Sequence, residues 1–237
     1  MTASLTEPTP RPPQLWARIG RWAGLFVLQF LVVEWVVSAT WRGNYSYRWN
    51  YISELGVPFC GPTGYLPCSS LYVAANVSIV VLGCSLAVAA VSWFALGVLD
   101  IRSTAFFVVS GIGGVTAGTV SEATNYQVHS FGAAVLFVTA NVALVFAAGG
   151  RLVPRPHRYV VTALGAVGLL AYFLYIGGHQ FGMGIGALER IVAYCVIGGT
   201  VILTAALFQA TRVPRRRSAR VADNEQLLGA SAAGQIS

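Results

Sequence analysis

Long apolar runs separated by short polar segments dominate the chain. Six stretches stand out: Trp22–Thr40, Leu71–Leu96, Thr104–Val120, His129–Gly149, Tyr159–Gly177 and Glu189–Ala210. Each approaches the roughly 20 helical residues needed to cross a hydrocarbon core. None alternates with the period of two that marks a barrel strand. Helices are then the spanning structure, because they satisfy their own backbone groups in lipid. The pattern predicts an all-α membrane protein with six transmembrane helices over residues 22–210. The flanking tails, 1–21 and 211–237, are proline-rich or polar and are predicted to be disordered. The longest segment between spans is 41–70, too short for a separate catalytic domain, so any chemistry must use the bundle itself.

Composition agrees with this pattern. The 237 residues are 56% hydrophobic and only 10% charged, with a mean hydropathy of +0.67. Soluble domains carry about 25% charged residues. The formal charge is +7, and all 15 basic residues are arginines. With the N-terminus inside, the cytoplasmic segments hold Arg11, Arg18, Arg21, Arg102, Arg151, Arg155, Arg158, Arg212, Arg215, Arg216, Arg217 and Arg220, leaving Arg42, Arg48 and Arg190 outside. This asymmetry predicts that both the N- and C-termini are cytoplasmic. It is a topology signal and not a nucleic-acid face. Arginine-only usage points to a GC-rich bacterial genome, and so to the plasma membrane as the location. Membrane lipids are the expected partners. Arg215-Arg216-Arg217 reads either as a stop-transfer signal or as a site for anionic lipid headgroups. Trp16, Trp22 and Trp41 mark the ends of the first helix as interface anchors. Val37-Ser38-Ala39 resembles a cleavage site, but Glu34 within the run and the prolines before it favour a retained helix.

Charged and polar groups inside spans cost about 2.5–3.5 kcal/mol at the bilayer centre, so each calls for a reason. Here they gather toward the predicted outer ends: Glu34 and Asn76 within helices, Ser53 and Glu54 in the first outer loop, Glu122 and His129 between the third and fourth spans, His179 after the fifth, and Glu189-Arg190 opening the sixth. Three readings stay open. Glu54 or Glu122 pairs with Arg190 and the histidines bond carbonyls, holding helix ends together. Alternatively Glu54, Glu122 or His129 is a general base and Arg190 orients an anionic group of the substrate, with Glu34, Ser53, Asn76, His179 and Glu189 as further ligand-binding groups. Or Glu34, Glu122 and His129 form a proton relay. No residues fall at metalloenzyme spacing, so no metal and no cofactor are predicted. Cys60 and Cys68 lie together in the outer loop, an oxidising setting in which they are expected to form a disulfide. Cys84 and Cys195 read as packing residues within spans.

Ser110, Gly114 and Gly118 recur at four-residue spacing in the third span, which predicts close packing inside the bundle. Ile52-Ser53-Glu54-Leu55-Gly56, a proline-containing loop, and a helix bearing Asn76 and Gly83 resemble the bacterial and archaeal membrane family known as domain of unknown function 998. The glycine-rich third span before Glu122, His129 opening the fourth, and Gly186-Ala187-Leu188-Glu189-Arg190 are similar to it as well. The segment Gly118-Thr119-Val120-Ser121-Glu122 departs from the Gly-Leu-Phe-Pro-like turn expected there. The resemblance covers roughly Trp22 to Gln209; it implies a multi-span fold and names no reaction.

Overall fold

A computed structural model describes residues 12–58, 68–147 and 153–208. Six helical spans are long and apolar enough to cross a membrane. The first, Gln14–Ala39, consists of α1 (Pro12–Phe26) and α2 (Gln29–Ala39). They join where three i→i+3 bonds (Leu28 N to Leu25 O, Phe30 N to Val27 O, Leu31 N to Leu28 O) tighten the turn. The others are α3 (Tyr72–Ala95), α4 (Ile101–Thr119), α5 (Tyr126–Ala147), α6 (Arg155–Ile176) and α7 (Ile185–Phe208). Extended structure among the described residues is limited to a two-residue antiparallel bridge, β1 (Trp41–Arg42) with β2 (Cys68–Ser69).

Five of the six spans begin at least three residues upstream of the predicted runs. Hydropathy registers the hydrocarbon-crossing part, whereas the helix continues through the interface to its own cap. At α4 the cap is Asp100, whose carboxylate accepts from Ser103 N at 2.8 Å. At α6, Pro156 occupies the first turn, where its missing N–H costs nothing.

Successive helices α3 to α6 pack on their neighbours, and α1 packs on α3. The glycine-rich face of α4 is buried inside the bundle. A Cβ at Gly83 would lie 2.6 Å from Gly111 O, and one at Gly113 would lie 2.5 Å from Leu136 N. Backbone therefore meets backbone on both sides of α4, the close packing that small residues allow. Helix α7 closes the bundle: Thr204 lies against Gly24 of α1, and Asn141 of α5 reaches Val192 O at 3.4 Å. Leu86, Trp93, Phe107, Leu136, Leu144, Val196 and Leu203 form one continuous core. Buried hydroxyls in it bond back to their own helices, as Ser92 does to Val88 O and Thr200 to Val196 O. Of the cysteines, Cys84 is exposed and Cys195 buried, both free. Cys60 and the Arg215–Arg217 run lie outside the described residues, so neither the disulfide with Cys68 nor the headgroup site is described.

Candidate functional site

The segment 41–58 lies over one end of the bundle, and the last helix ties it down. Gly186 N and Ala187 N, first-turn donors of α7 without intrahelical partners, both bond to Arg48 O, at 3.0 and 3.2 Å. Gly184 makes the approach feasible, since its φ is +93° and a Cβ there would lie against Arg48 O. The Arg48 guanidinium in turn bonds Gly182 O. A 3₁₀ turn at Ser53–Gly56 then buries Leu55, and Asn76 Nδ2 of α3 donates to Gly56 O at 2.9 Å.

Arg190 is the centre of this arrangement. Its Nε donates to Glu34 Oε1 at 2.8 Å, and both side chains are nearly completely buried. Nη1 reaches Tyr47 O, Asn50 O and Gly186 O at 2.9, 2.8 and 3.0 Å, and Nη2 bonds the Tyr45 hydroxyl. The rings of Tyr45 and Tyr47 lie 5.3 and 4.6 Å from the guanidinium carbon. Tyr194 OH donates to Glu34 Oε2 at 2.8 Å. The partner of Arg190 is thus Glu34, not Glu54 or Glu122. Every guanidinium nitrogen is engaged, so Arg190 keeps no free edge with which to orient an anion. On the far side of Glu34, Gln29 is taken up by Ser78, donating to its carbonyl at 3.0 Å and accepting from its hydroxyl at 2.9 Å.

Beside this hub lies a cavity of about 220 Å³, lined by Tyr51, Ser53, Glu122, Tyr126, His129, Ser130, Ala133, Ala134, Phe137, Tyr172, Tyr175, Ile176 and Glu189. Its floor and walls come from the turn before the 3₁₀ element, the α4–α5 connection, the first three turns of α5, the end of α6 and the start of α7. Of the nine sequence candidates, Ser53, Glu122, His129 and Glu189 line it. Glu34 and Arg190 form the adjacent pair, and Asn76 holds the 3₁₀ turn. Glu54 accepts from Asn50 Nδ2 at 2.8 Å and lies outside the lining. His179 sits exposed near Phe181, their ring centres 6.4 Å apart.

The acceptors in the cavity are unevenly satisfied. Glu189 is 6% exposed; its Oε2 takes the Ile52 N–H at 2.6 Å, and among the described residues nothing bonds Oε1. His129 is 4% exposed, with Nδ1 at 2.9 Å from both Ala117 O and Val120 O. Two carbonyls at that distance require a proton on Nδ1. In the neutral ring, Nε2 on the opposite edge is therefore a bare acceptor, with no partner among the described residues. Glu122 Oε2 is likewise buried without a partner. Among the described lining residues no lysine or arginine faces these groups. The negative potential registers on neighbours outside the spans. Burial pushes the Tyr51 phenol up from its ordinary value, and the carboxylates of Glu189, Glu54 and Glu122 add to the effect. Burial also raises the Glu54 carboxyl; Asn50 opposes this and Glu122 reinforces it. Two small voids continue inward, of about 20 Å³ beside His129 and Glu189 and about 10 Å³ beside Glu34 and Ser78.

Tyr45, Tyr47 and Tyr194 around Arg190, and Tyr51, Tyr126, Tyr172 and Tyr175 around the cavity, are not among the sequence candidates. A signal for them exists: of the nine tyrosines among the described residues, only Tyr159 sits at the opposite end of a span.

These features define a multi-pass α-helical membrane protein with a buried ion pair and an acidic, tyrosine-walled cavity at one end. The chain belongs to the family described as "Protein of unknown function (DUF998)", whose model matches residues 17–220. No curated protein and no solved structure matches it.

Proposed function

We propose that the cavity binds a ligand bearing a protonated primary amine, on the outer side of the plasma membrane of a bacterial cell. The supporting observation is one cavity lined by the Glu122 and Glu189 side chains and by His129, with Glu189 Oε1 and His129 Nε2 unfilled among the described residues and no lysine or arginine in the lining. A primary ammonium carries three N–H donors and a charge that two carboxylates compensate. The tyrosine rings supply faces that attract cations. The outward orientation rests on the arginine asymmetry, which leaves the cavity end as the arginine-poor side.

Other roles draw less support. A hydrolase using His129 as general base is favoured by its fixed Nδ1–H and free Nε2. It lacks a cationic group for a developing oxyanion, because Arg190 is fully engaged. A proton relay through Glu34 meets an ion pair closed by Tyr194, beside voids the size of single waters.

Saturation-transfer NMR on the purified protein in a neutral detergent tests the amine reading, with n-butylamine and n-butyrate as probes. Butylamine is expected to bind and butyrate not to bind. Glu189→Gln, which keeps an acceptor for Ile52 N–H, removes a charge-assisted bond of about 1.5–3 kcal/mol and weakens the amine roughly 10- to 150-fold. Equal binding of the two probes, or an unchanged affinity in Glu189→Gln, refutes the proposal. Reporter fusions at Thr124 and Arg155 test the orientation: exterior signal is expected at the first and cytoplasmic signal at the second.

A further inference from the structure

The lining of the cavity changes character along α5. Tyr126, His129 and Ser130 line it from the start of the helix, and Ala133, Ala134 and Phe137 follow further along. From residue 126 to residue 137 the helix rises about 16 Å, roughly half the thickness of a hydrocarbon core. The acidic groups therefore sit at one end of a slot whose other end is apolar and lies at membrane depth. The small side chains Ala133 and Ala134 line it from α5, opposite Tyr172, Tyr175 and Ile176 of α6. Ala133, Ala134 and Tyr172 along it are partly exposed. Beside it, Phe131 and Phe173 are 70% and 60% exposed on the outer surfaces of the two helices. That surface faces lipid in a six-span bundle.

Size and charge narrow the occupant. At about 220 Å³ the cavity is smaller than the roughly 300–1,000 Å³ of sites that enclose a drug-sized ligand. It accommodates a headgroup and not a whole amphiphile, so a longer ligand must leave through the slot. An anionic phosphate next to the amine would lie among Glu122, Glu189 and the nearby Glu54 with no lysine or arginine lining the cavity to pair it. Such an uncompensated like-charge contact is costly in a desolvated site.

We infer that the ligand is a long-chain primary amine without a phosphate, entering sideways from the outer leaflet between α5 and α6. Its ammonium lies among Glu122, His129 and Glu189, and its alkyl chain runs along Ala133, Ala134 and Phe137. This rests on the amine-binding reading above and adds the chain, the absence of phosphate and the route.

Native mass spectrometry of the protein in maltoside micelles, titrated with n-butylamine, dodecylamine and phosphatidylethanolamine, tests it. The readout is the ratio of butylamine to dodecylamine dissociation constants, compared between wild type and Ala134→Phe. Partition of dodecylamine into the micelle is common to both proteins, so a change in the ratio reports the slot. The ratio is expected to fall at least tenfold in Ala134→Phe and to fall also in Phe137→Ala, which removes the apolar contact without adding bulk. Monodisperse elution on size exclusion identifies the folded variants. An unchanged ratio in both variants overturns the slot and leaves amine binding standing. Phosphatidylethanolamine binding as tightly as dodecylamine overturns the exclusion of phosphate. Failure of butylamine to bind wild type removes the underlying amine reading instead.

Discussion

Replacing Glu34 with glutamine tests the hub with little change in shape. The variant keeps a side chain of the same size and can still accept a hydrogen bond from Arg190 Nε, now 2.8 Å from Glu34 Oε1. What it removes is the charge, leaving a guanidinium that is 4% exposed with no anion in contact. Breaking a buried pair by neutralising one partner costs about 3–5 kcal/mol, because the remaining charge stays desolvated. Arg190 retains three carbonyls and a phenol, which places Glu34→Gln at the lower end of that range, about 3 kcal/mol. Arg190→Ala is more damaging: it strands Glu34 and also orphans Tyr47 O, Asn50 O and Gly186 O, each unsatisfied buried group adding about 1–3 kcal/mol. At about 2–4 °C per kcal/mol for a chain of this size, Glu34→Gln lowers the melting midpoint by roughly 6–12 °C. Thermal unfolding of purified protein in detergent, followed by intrinsic fluorescence, measures the shift. A cycle completed with the double variant should show coupling well above 1 kcal/mol. Strict additivity, or a Glu34→Gln midpoint equal to wild type, would refute the account of Arg190 as a paired, desolvated charge.

Further expectations follow from other contacts. Gly113→Val places side-chain atoms against the α5 backbone, since even a Cβ would lie 2.5 Å from Leu136 N and 2.7 Å from Gly132 O; a loss of at least about 1–3 kcal/mol is expected in the same unfolding assay. Asp100→Ala removes the N-cap of α4 and should cost about 0.5–2 kcal/mol, with Asp100→Asn largely retaining stability. For Glu54 the folded carboxyl titrates above its ordinary value, chiefly through burial. The folded state then holds the proton more tightly than the unfolded chain. Its stabilising contribution is complete below the ordinary carboxylate range and is lost as pH rises through the raised value. Midpoints measured across that interval should fall more steeply with pH in wild type than in Glu54→Gln, and parallel profiles would contradict the assignment.

The spans were legible in the sequence because lipid imposes a single requirement, length of apolar helix, that local composition satisfies. The glycine face of α4 was legible for a related reason: Ser110, Gly111, Gly114 and Gly118 repeat at helical spacing, and small residues on one face declare a close neighbour. The structure bonds His129 to carbonyls, as one of the open readings expects, but gives Arg190 a partner other than Glu54 or Glu122. Arg190 had several acidic residues within plausible reach, and nothing in one dimension selects Glu34, 156 positions away, over Glu54 or Glu122. That choice depends on α2 and α7 being adjacent across the bundle. Tyrosines at membrane ends carry no site signal of their own, because the interface enriches them in any case. In the structure Tyr51, Tyr172 and Tyr175 turn inward as walls, and Tyr45 and Tyr47 flank a guanidinium.

The Glu34–Arg190 pair joins the first span to the last, which gives synthesis of the chain an order. Glu34 enters the bilayer early, and its counter-charge is made only after four further spans. Until then the carboxyl must stay protonated, remain near the headgroups or be shielded by the insertion machinery. The segment 41–58 waits with it, because the Arg48 guanidinium and the carbonyls of Tyr47, Arg48 and Asn50 are engaged by Gly182, Gly186, Ala187 and Arg190. Assembly of this end of the bundle is therefore a terminal event. A chain interrupted before its last helix would display an unpaired acid in lipid, a marker by which surveillance proteases could tell an unfinished molecule from a finished one.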